Sequence, residues 1–279
     1  MKTRIISGVA ALALLAAVML LGREAIGLAV FVLALLGIHE FYGAARNGGY
    51  NPVYPLGYIA CLPMLYPAVS GNSLAVLLES IPLNLLETIS LLLFVLIVIA
   101  FCLMIFSRGR FNLADLSITL FGIIYVPFLL SYVALTRNLD QGYLYIWLIF
   151  IGGWITDTFA YFTGVTIGRT KILPKVSPKK SLEGSIGGVI GCTAVTAAFG
   201  AIFQGELGGT PLYHFILLGV LCGVISQVGD WAASAIKRFV NIKDYGRIMP
   251  GHGGVLDRVD SILFVAPLVY FYIGLFMGG

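Results

Sequence analysis

The residues of this chain best suited to phosphate chemistry lie between Ser234 and Asp260. A glycine-rich turn surrounds His252 and leads into Asp257 and Asp260, which are three residues apart and therefore share one face of a helix. Glycine lets the backbone approach a ligand closely, and the N–H groups at the start of a helix favour phosphate. Two carboxylates beside such a turn indicate Mg²⁺, which takes a few carboxylates together with phosphate oxygens. A histidine that only packs or caps is an equal interpretation of His252.

Another carboxylate, Asp230, lies upstream on a polar helical face. Ser226, Asp230, Ser234 and Lys237 are spaced by four, four and three residues, so they line one side of a helix. A carboxylate inside a membrane segment needs a cation nearby, because unpaired charge is costly there. Asp230 is therefore either half of a salt bridge or a metal ligand, and the neighbouring turn favours the metal.

Asp157 and a short lysine-rich loop extend this polar set towards the middle of the chain. Asp157 lies in an apolar run, and we expect it either to approach Asp230 or Asp257 or to form a structural hydrogen bond to another helix. Lys179 and Lys180 can neutralise a triphosphate, although lysines on a cytoplasmic loop need no role beyond topology. The whole set indicates phosphoryl or nucleotidyl transfer, which depends mainly on positioning and charge neutralisation.

The composition places these residues in a membrane protein. Of the 279 residues, 59% are hydrophobic and 11% are charged, against about 25% charged in soluble domains, and the mean hydropathy is +0.98. A transmembrane helix needs about 20 apolar residues. Nine segments qualify, and we expect an all-α polytopic membrane protein with spans near 4–21, 24–42, 53–70, 86–106, 113–134, 142–166, 184–204, 213–236 and 259–277. Ser181 and Glu183 are expected to cap the seventh span.

The distribution of Lys and Arg predicts the orientation. With a cytoplasmic N-terminus, 15 of the 17 basic residues fall on the cytoplasmic side, and only Arg23 and Arg137 fall outside. The C-terminus then lies outside, and loops 168–183 and 237–258 both face the cytoplasm. We expect the protein to lie in the inner (cytoplasmic) cell membrane. We expect an N-terminal transmembrane region and a catalytic transmembrane region, over residues 1–140 and 141–279.

The order of the polar residues resembles the signature of the phosphatidate cytidylyltransferase family, the CDP-diacylglycerol synthases. The residues that match the signature in order and spacing are Ser234, Lys237, Arg238, Lys243, Asp244, His252, Gly253, Gly254, Asp257, Arg258 and Asp260. Three further elements match: Ser226 to Asp230, Asp157 with Ala160-Tyr161-Phe162, and Ser177-Pro178-Lys179-Lys180 before Glu183-Gly184. The family often has Thr-Trp where Ser181-Leu182 stand here. The resemblance covers about residues 150–265, and the earlier part matches only as a generic multi-span region.

The resemblance implies that CTP and phosphatidate react to give CDP-diacylglycerol and pyrophosphate. It implies Mg²⁺ as cofactor, with Asp230 and Asp257 at the metal centre, and a homodimer in the lipid bilayer; a second, monovalent cation stays open. Catalytic roles are expected for Asp230, Asp257, Lys237 and Asp260. Substrate-binding roles are expected for Asp157, Lys179, Lys180, Ser234, Arg238, Lys243, Asp244, His252, Gly253, Gly254 and Arg258.

Two other functions are compatible with parts of the pattern. A CTP-dependent lipid kinase of the polyprenol type would transfer the γ-phosphoryl group to a lipid alcohol. An ion-coupled transporter would use intramembrane carboxylates as ion sites. Transporters often have repeated halves with broken helices in matching positions, and the sequence has no such pairing.

Overall fold

The structure is a computed structural model that describes residues 15–65, 85–246 and 253–278. The candidate site residue His252 lies outside the described residues, as does most of the predicted first span. The predicted third span is described only as far as Leu65. Within the described ranges the chain is helical over most of its length, as its apolar composition predicts.

The bounds of the helices follow the apolar segments of the sequence. The helices are α1 (Arg23–Asn47), α2 (Tyr54–Cys61), α3 (Leu85–Phe106), α4 (Leu113–Arg137), α5 (Gly142–Ile167), α6 (Leu182–Ile202), α7 (Leu212–Phe239) and α8 (Leu256–Met277). Helix α2 continues into a 3-10 turn, Leu62–Leu65. Helices α4, α5 and α8 each include a π-helical turn. In α4 this turn contains Pro127, which lacks the N–H that an unbroken helix needs.

Six of these helices, α1 and α4 to α8, are long and apolar enough to cross a membrane. Their bounds lie within a few residues of the predicted spans. Helix α2 with its 3-10 turn and the Leu93–Phe106 part of α3 are shorter apolar helices. The polytopic helical architecture is therefore confirmed, while the count of nine spans and the orientation of the termini stay predictions.

The loop between α5 and α6 contains a hairpin that is absent from the sequence-based expectations. Strand β1, Lys171–Leu173, pairs antiparallel with β2, Ser177–Ser181. The N–H of Val176 donates to the carbonyl of Leu173 and closes the turn. At the end of β2 the hydroxyl of Ser181 accepts the N–H of Gly184, so Ser181 caps α6 as predicted.

The chain folds as two compact units. The first contains α1 to α3, α4 as far as Ser131, and the segment Val240–Leu256; the second contains the remainder of α4 from Tyr132, α5 to α7, the hairpin and α8 from Asp257. The segment Val240–Leu256 thus packs with the N-terminal helices, although it lies among the C-terminal motifs in the sequence. A functional division at residue 140 stays a prediction.

Buried polar contacts hold the first unit together. The carboxylate of Asp115, near the start of α4, accepts the N–H of Asn51 at 2.6 Å, and the hydroxyl of Thr119 accepts the N–H of Val53 at 2.9 Å. The hydroxyl of Tyr42 in α1 donates to the carbonyl of Thr119 at 2.9 Å. Because each contact satisfies a buried polar group, removing one partner would leave the other without its bond.

In the second unit, glycines allow α5, α6 and α7 to approach one another closely. A methyl group added at Gly219 of α7 would lie 2.7 Å from the Cα atom of Thr193 in α6. One added at Gly188 of α6 would lie 3.0 Å from the carbonyl oxygen of Thr156 in α5. Small residues allow such backbone contact between membrane helices. The helices that carry the candidate site residues are therefore fixed to one another by backbone proximity.

Replacing Gly219 by Val is expected to lower the stability of the protein by about 1–3 kcal/mol, because the new side chain meets backbone atoms that cannot move aside. Thermal unfolding in detergent measures the effect. Gly205→Val is the matched control, since a methyl group at Gly205 would meet nothing within 4 Å. Equal unfolding midpoints for the two variants would contradict the close packing of α6 and α7.

Candidate active site

Carboxylates from three helices form the centre of the candidate site in the second unit. Asp157 follows the π-helical turn of α5, and Asp230 lies in α7. Asp257 lies in the first turn of α8, and Asp260 follows three residues later. Asp257 and Asp260 are buried, and the other two are half-buried. The helical bounds therefore place Asp257 and Asp260 on adjoining positions of one helix, as their spacing predicts.

Close packing of α7 on α8 brings Asp230 near Asp260. A methyl group added at Gly229 would lie 2.7 Å from the carbonyl oxygen of Asp260 and 3.2 Å from the Cα atom of Ser261. The carboxylate of Asp230 interacts electrostatically with those of Asp157 and Asp260. Because like charges repel, a cluster of this kind requires cations close by.

The cation that pairs with Asp230 is Lys180 from strand β2. Burial acts to lower the pKa of Lys180, but the attraction of Asp230, Asp157 and Asp260 outweighs it and raises the pKa above its ordinary value. Lys180 is therefore charged at neutral pH. Asp230 thus has the cation partner that its position requires, and this partner comes from the hairpin. The role of Asp230 as a metal ligand stays a prediction.

The carboxylate of Glu183 anchors the base of the hairpin that supplies Lys180. Glu183 lies in the first turn of α6 and accepts the N–H groups of Arg169 and Thr170. The N–H of Leu182 donates to the carbonyl of Thr170 at 2.9 Å. These bonds tie both ends of the loop to the start of α6, so the position of Lys180 is set by the backbone around it.

A second ion pair joins the end of α7 to the start of α8. The ammonium group of Lys237 lies 2.7 Å from Oδ1 of Asp257, and the two side chains are 11% and 4% exposed. Withdrawal from water strengthens the attraction between them but also removes the hydration of both charges. The pair therefore fixes the geometry of the site more than it adds to the stability of the fold.

Ser261 is a site residue that the sequence patterns did not identify. Its hydroxyl donates to Oδ2 of Asp157 at 3.2 Å, and its N–H donates to Oδ1 of Asp260 at 2.9 Å. Asp157 thus has the interhelical hydrogen bond that was one of its two interpretations, in addition to its approach to Asp230. The sequence could have indicated Ser261 as a site residue, because it directly follows Asp260 and a serine hydroxyl can donate a hydrogen bond to a buried carboxylate.

The other predicted residues of the second unit surround this cluster with differing exposure. Lys179 and Arg258 are exposed, and Ser234 is half-buried. Lys179 and Lys180 point to opposite sides because side chains alternate along a strand. Arg238 is exposed, and its Nε–H donates to the carbonyl of Val176 at 3.4 Å.

The remaining predicted residues lie in the first unit. Lys243 and Asp244 are exposed, Gly254 is buried, and Gly253 has a φ of 85°, a left-handed conformation that glycine adopts without strain. His252 is outside the described residues. The signature that is continuous in sequence is therefore divided between the two compact units.

The donor atoms of the second unit suit a hard cation shared with a substrate. The four carboxylates of the cluster outnumber the two lysines that pair with them, so the cluster can accept further positive charge. Over residues 15–65, 85–246 and 253–278, however, no group of three His, Cys, Asp or Glu side chains is arranged to hold a metal ion. Mg²⁺ is commonly held by one or two carboxylates, with water and substrate phosphate completing its shell. The donor set fits that mode of binding.

Comparison with known proteins gives the same class of chemistry. Residues 2–276 match the model of the cytidylyltransferase family. The chain belongs to this family.

Curated relatives with the name phosphatidate cytidylyltransferase occur in several bacteria. The protein of Staphylococcus haemolyticus is 31% identical over 269 residues, which cover 96% of this chain and 97% of the relative. That of Synechocystis is 32% identical and covers 98% of this chain and 97% of the relative. That of Bacillus subtilis is 34% identical over 170 residues, which are 61% of this chain and 62% of the relative.

Replacing Lys237 by Met is expected to destabilise the protein by about 3–5 kcal/mol, because Asp257 stays buried without its lysine. Combining Lys237→Met with Asp257→Leu is expected to recover much of this loss, since apolar side chains often replace a buried ion pair without penalty. Thermal unfolding in detergent measures both. Lys175→Met, at an exposed position of the hairpin turn, is the control. A wild-type midpoint for Lys237→Met would show that the pair does not fix the site.

Proposed function

We propose that this protein is a phosphatidate cytidylyltransferase of phospholipid biosynthesis, which converts CTP and phosphatidate into CDP-diacylglycerol and pyrophosphate. The observation that carries the proposal is near full-length similarity to relatives of that name, in a chain whose second unit gathers four carboxylates and two lysines in one cluster. Family membership supports the cytidylyl transfer, and the relatives' names support phosphatidate as the acceptor.

The reaction needs little covalent help from the protein. The phosphate of phosphatidate is anionic near neutral pH, so one of its oxygens attacks the α-phosphorus of CTP. A new O–P bond forms, the bond from the α-phosphorus to the bridging oxygen breaks, and pyrophosphate leaves with the electron pair. Transfer of this kind depends on positioning and on neutralising charge.

The chain's own residues supply this positioning and charge. Lys180 and Lys237 hold Asp230 and Asp257 in place and add positive charge beside the incoming phosphates. The exposed guanidinium of Arg258 is suited to bidentate contact with a phosphate group. We assign Asp230 and Asp257 as the residues that would hold Mg²⁺, which when bound neutralises phosphate charge and polarises the reacting phosphoryl group.

The membrane setting of the proposal follows from the basic residues. The bias of Lys and Arg towards one side supports a cytoplasmic N-terminus, nine spans and a site that faces the cytoplasm, where CTP is available. Phosphatidate would enter from the lipid bilayer. A homodimer rests on the family resemblance alone.

The products distinguish this function from the lipid-kinase alternative. Purified protein is supplied with phosphatidate, a polyprenol and CTP labelled at either the α- or the γ-phosphate. A cytidylyltransferase is expected to place the α label in a CDP-lipid and release the γ label as pyrophosphate. A γ label in the lipid would identify a kinase, and solute uptake by vesicles with no turnover of CTP would favour the transporter. Loss of turnover on chelation, with recovery on adding Mg²⁺, is the expected metal dependence.

Asp230→Asn and Asp257→Asn are each expected to lower turnover by about 100-fold or more, the usual effect of removing one electrostatic stabiliser of the transition state. Asp140→Asn is the control, because Asp140 is exposed and lies in the connection between α4 and α5. The measurement is the rate of CDP-diacylglycerol formation at saturating CTP and Mg²⁺. Turnover near wild type in both site variants would overturn the assignment of the metal ligands.

A further inference from the structure

Helix α1 carries a buried carboxylate, Glu40, that the sequence patterns left unassigned. Its side chain is in the first unit, and the residue is 5% exposed. Oε1 accepts the N–H of Val255 at 3.0 Å, and Oε2 accepts the N–H of Leu256 at 2.8 Å. Hydrogen bonds to an ionised carboxylate are stronger than those between neutral groups, and a negative charge is favourable at a helix N-terminus. Glu40 therefore fixes the backbone at the first residue of α8.

Two glycines of the same segment pack directly on this carboxylate. A methyl group added at Gly246 or at Gly254 would overlap the carboxylate of Glu40. A larger residue at either position would displace the carboxylate of Glu40 or the segment itself, so the contact between them would be lost. Glu40 thus contacts the segment both near its middle and at its end.

Residues of α1 and the residue that follows it also contact the first and the last residue of the segment. A methyl group added at Gly48 would lie 2.8 Å from Cγ1 of Val240, and one added at Gly37 would lie 3.7 Å from Cδ1 of Leu256. Gly48 directly follows α1, and it lies about 16 Å from Gly37 along the helix axis at the usual rise per residue. Glu40 supplies the charged contact within this stretch.

We infer that Glu40 is a positioning residue for CTP binding. It holds the described parts of this segment, residues 240–246 and 253–256, against α1 and thereby keeps Lys243 and Asp244 in position for the nucleotide. This inference rests on the proposed function and on the substrate-binding roles that the family resemblance implies for Lys243 and Asp244. Glu40 acts through the segment and does not contact the substrate.

The expected effect of losing Glu40 is on the affinity for CTP. Without the carboxylate, the segment occupies its binding arrangement for a smaller fraction of the time. The apparent dissociation constant rises in inverse proportion to that fraction. Bound CTP selects the competent arrangement again, so the rate of the chemical step changes little.

Glu40→Gln tests this directly. The amide oxygen can still accept one backbone N–H, but the amide NH₂ group then faces the other backbone N–H, so that hydrogen bond is lost. We expect the KM for CTP to rise about tenfold, with kcat within about threefold of wild type and the KM for phosphatidate unchanged. Asp115→Asn is the matched control, since Asp115 is also buried in the first unit and accepts the N–H of Asn51. The control is expected to lower the unfolding midpoint without changing the KM for CTP. An equal rise in both variants, or none in Glu40→Gln, overturns the inference.

A double-mutant cycle tests the contact itself. Gly246→Ala alone is expected to raise the KM for CTP, because its methyl group displaces the segment from Glu40. In a Glu40→Ala background there is room for that methyl group, so the second change is expected to add little. Strong non-additivity supports contact between the two sites, and simple addition of the two effects contradicts it.

Hydrogen exchange separates a failure of this inference from a failure of the proposed function. In Glu40→Gln, amides within residues 240–246 and 253–256 are expected to exchange faster, while those of α6 keep their wild-type rates. This readout needs no substrate and no turnover. If exchange is faster in Glu40→Gln but the wild-type protein has no cytidylyltransferase activity, the structural role of Glu40 is supported and its role in CTP binding is rejected. Unchanged exchange would reject the positioning role outright.

Discussion

The site of this protein depends on the requirement that carboxylates placed among apolar helices have cations and hydrogen-bond donors within reach. An unpaired charge is far less stable there than in water. Lys180 meets this requirement for Asp230, and Lys237 meets it for Asp257. The hairpin between α5 and α6 has a structural role, because it positions Lys180 beside Asp230 of α7, which is distant in sequence.

Glycines make that charge arrangement possible by allowing the helices to approach. Gly229 places the backbone of α7 against the carbonyl of Asp260, so the carboxylate that follows it lies near the start of α8. A bulkier residue at this position would meet the backbone of α8 and push the two helices apart. In the second unit the electrostatic interactions therefore depend on close packing, since the charges interact only if the helices approach closely.

The first unit contributes something different. Its helices carry none of the family motifs, yet α1 contacts the segment that carries the middle of the signature. Glu40 meets the same requirement as the carboxylates of the second unit, but it does so with backbone N–H groups. In both units, acidic residues within apolar helices have partners from distant parts of the chain: Lys180 for Asp230, Ser261 for Asp157, and the N–H groups of Val255 and Leu256 for Glu40.

The sequence by itself determined the membrane class, the approximate bounds of six long helices, the cap at Ser181 and the family signature. It could do so because apolar length, capping and motif order are local properties of the chain. Only the tertiary structure decided that Asp230 pairs with Lys180, that Ser261 contacts Asp157, and that Glu40 holds the segment before α8. An intramembrane Glu was a signal for Glu40 that went unused. Helical periodicity identifies residues that share a face of one helix. These partners come from other elements of the fold, so which residues meet depends on how closely the helices pack at their glycines.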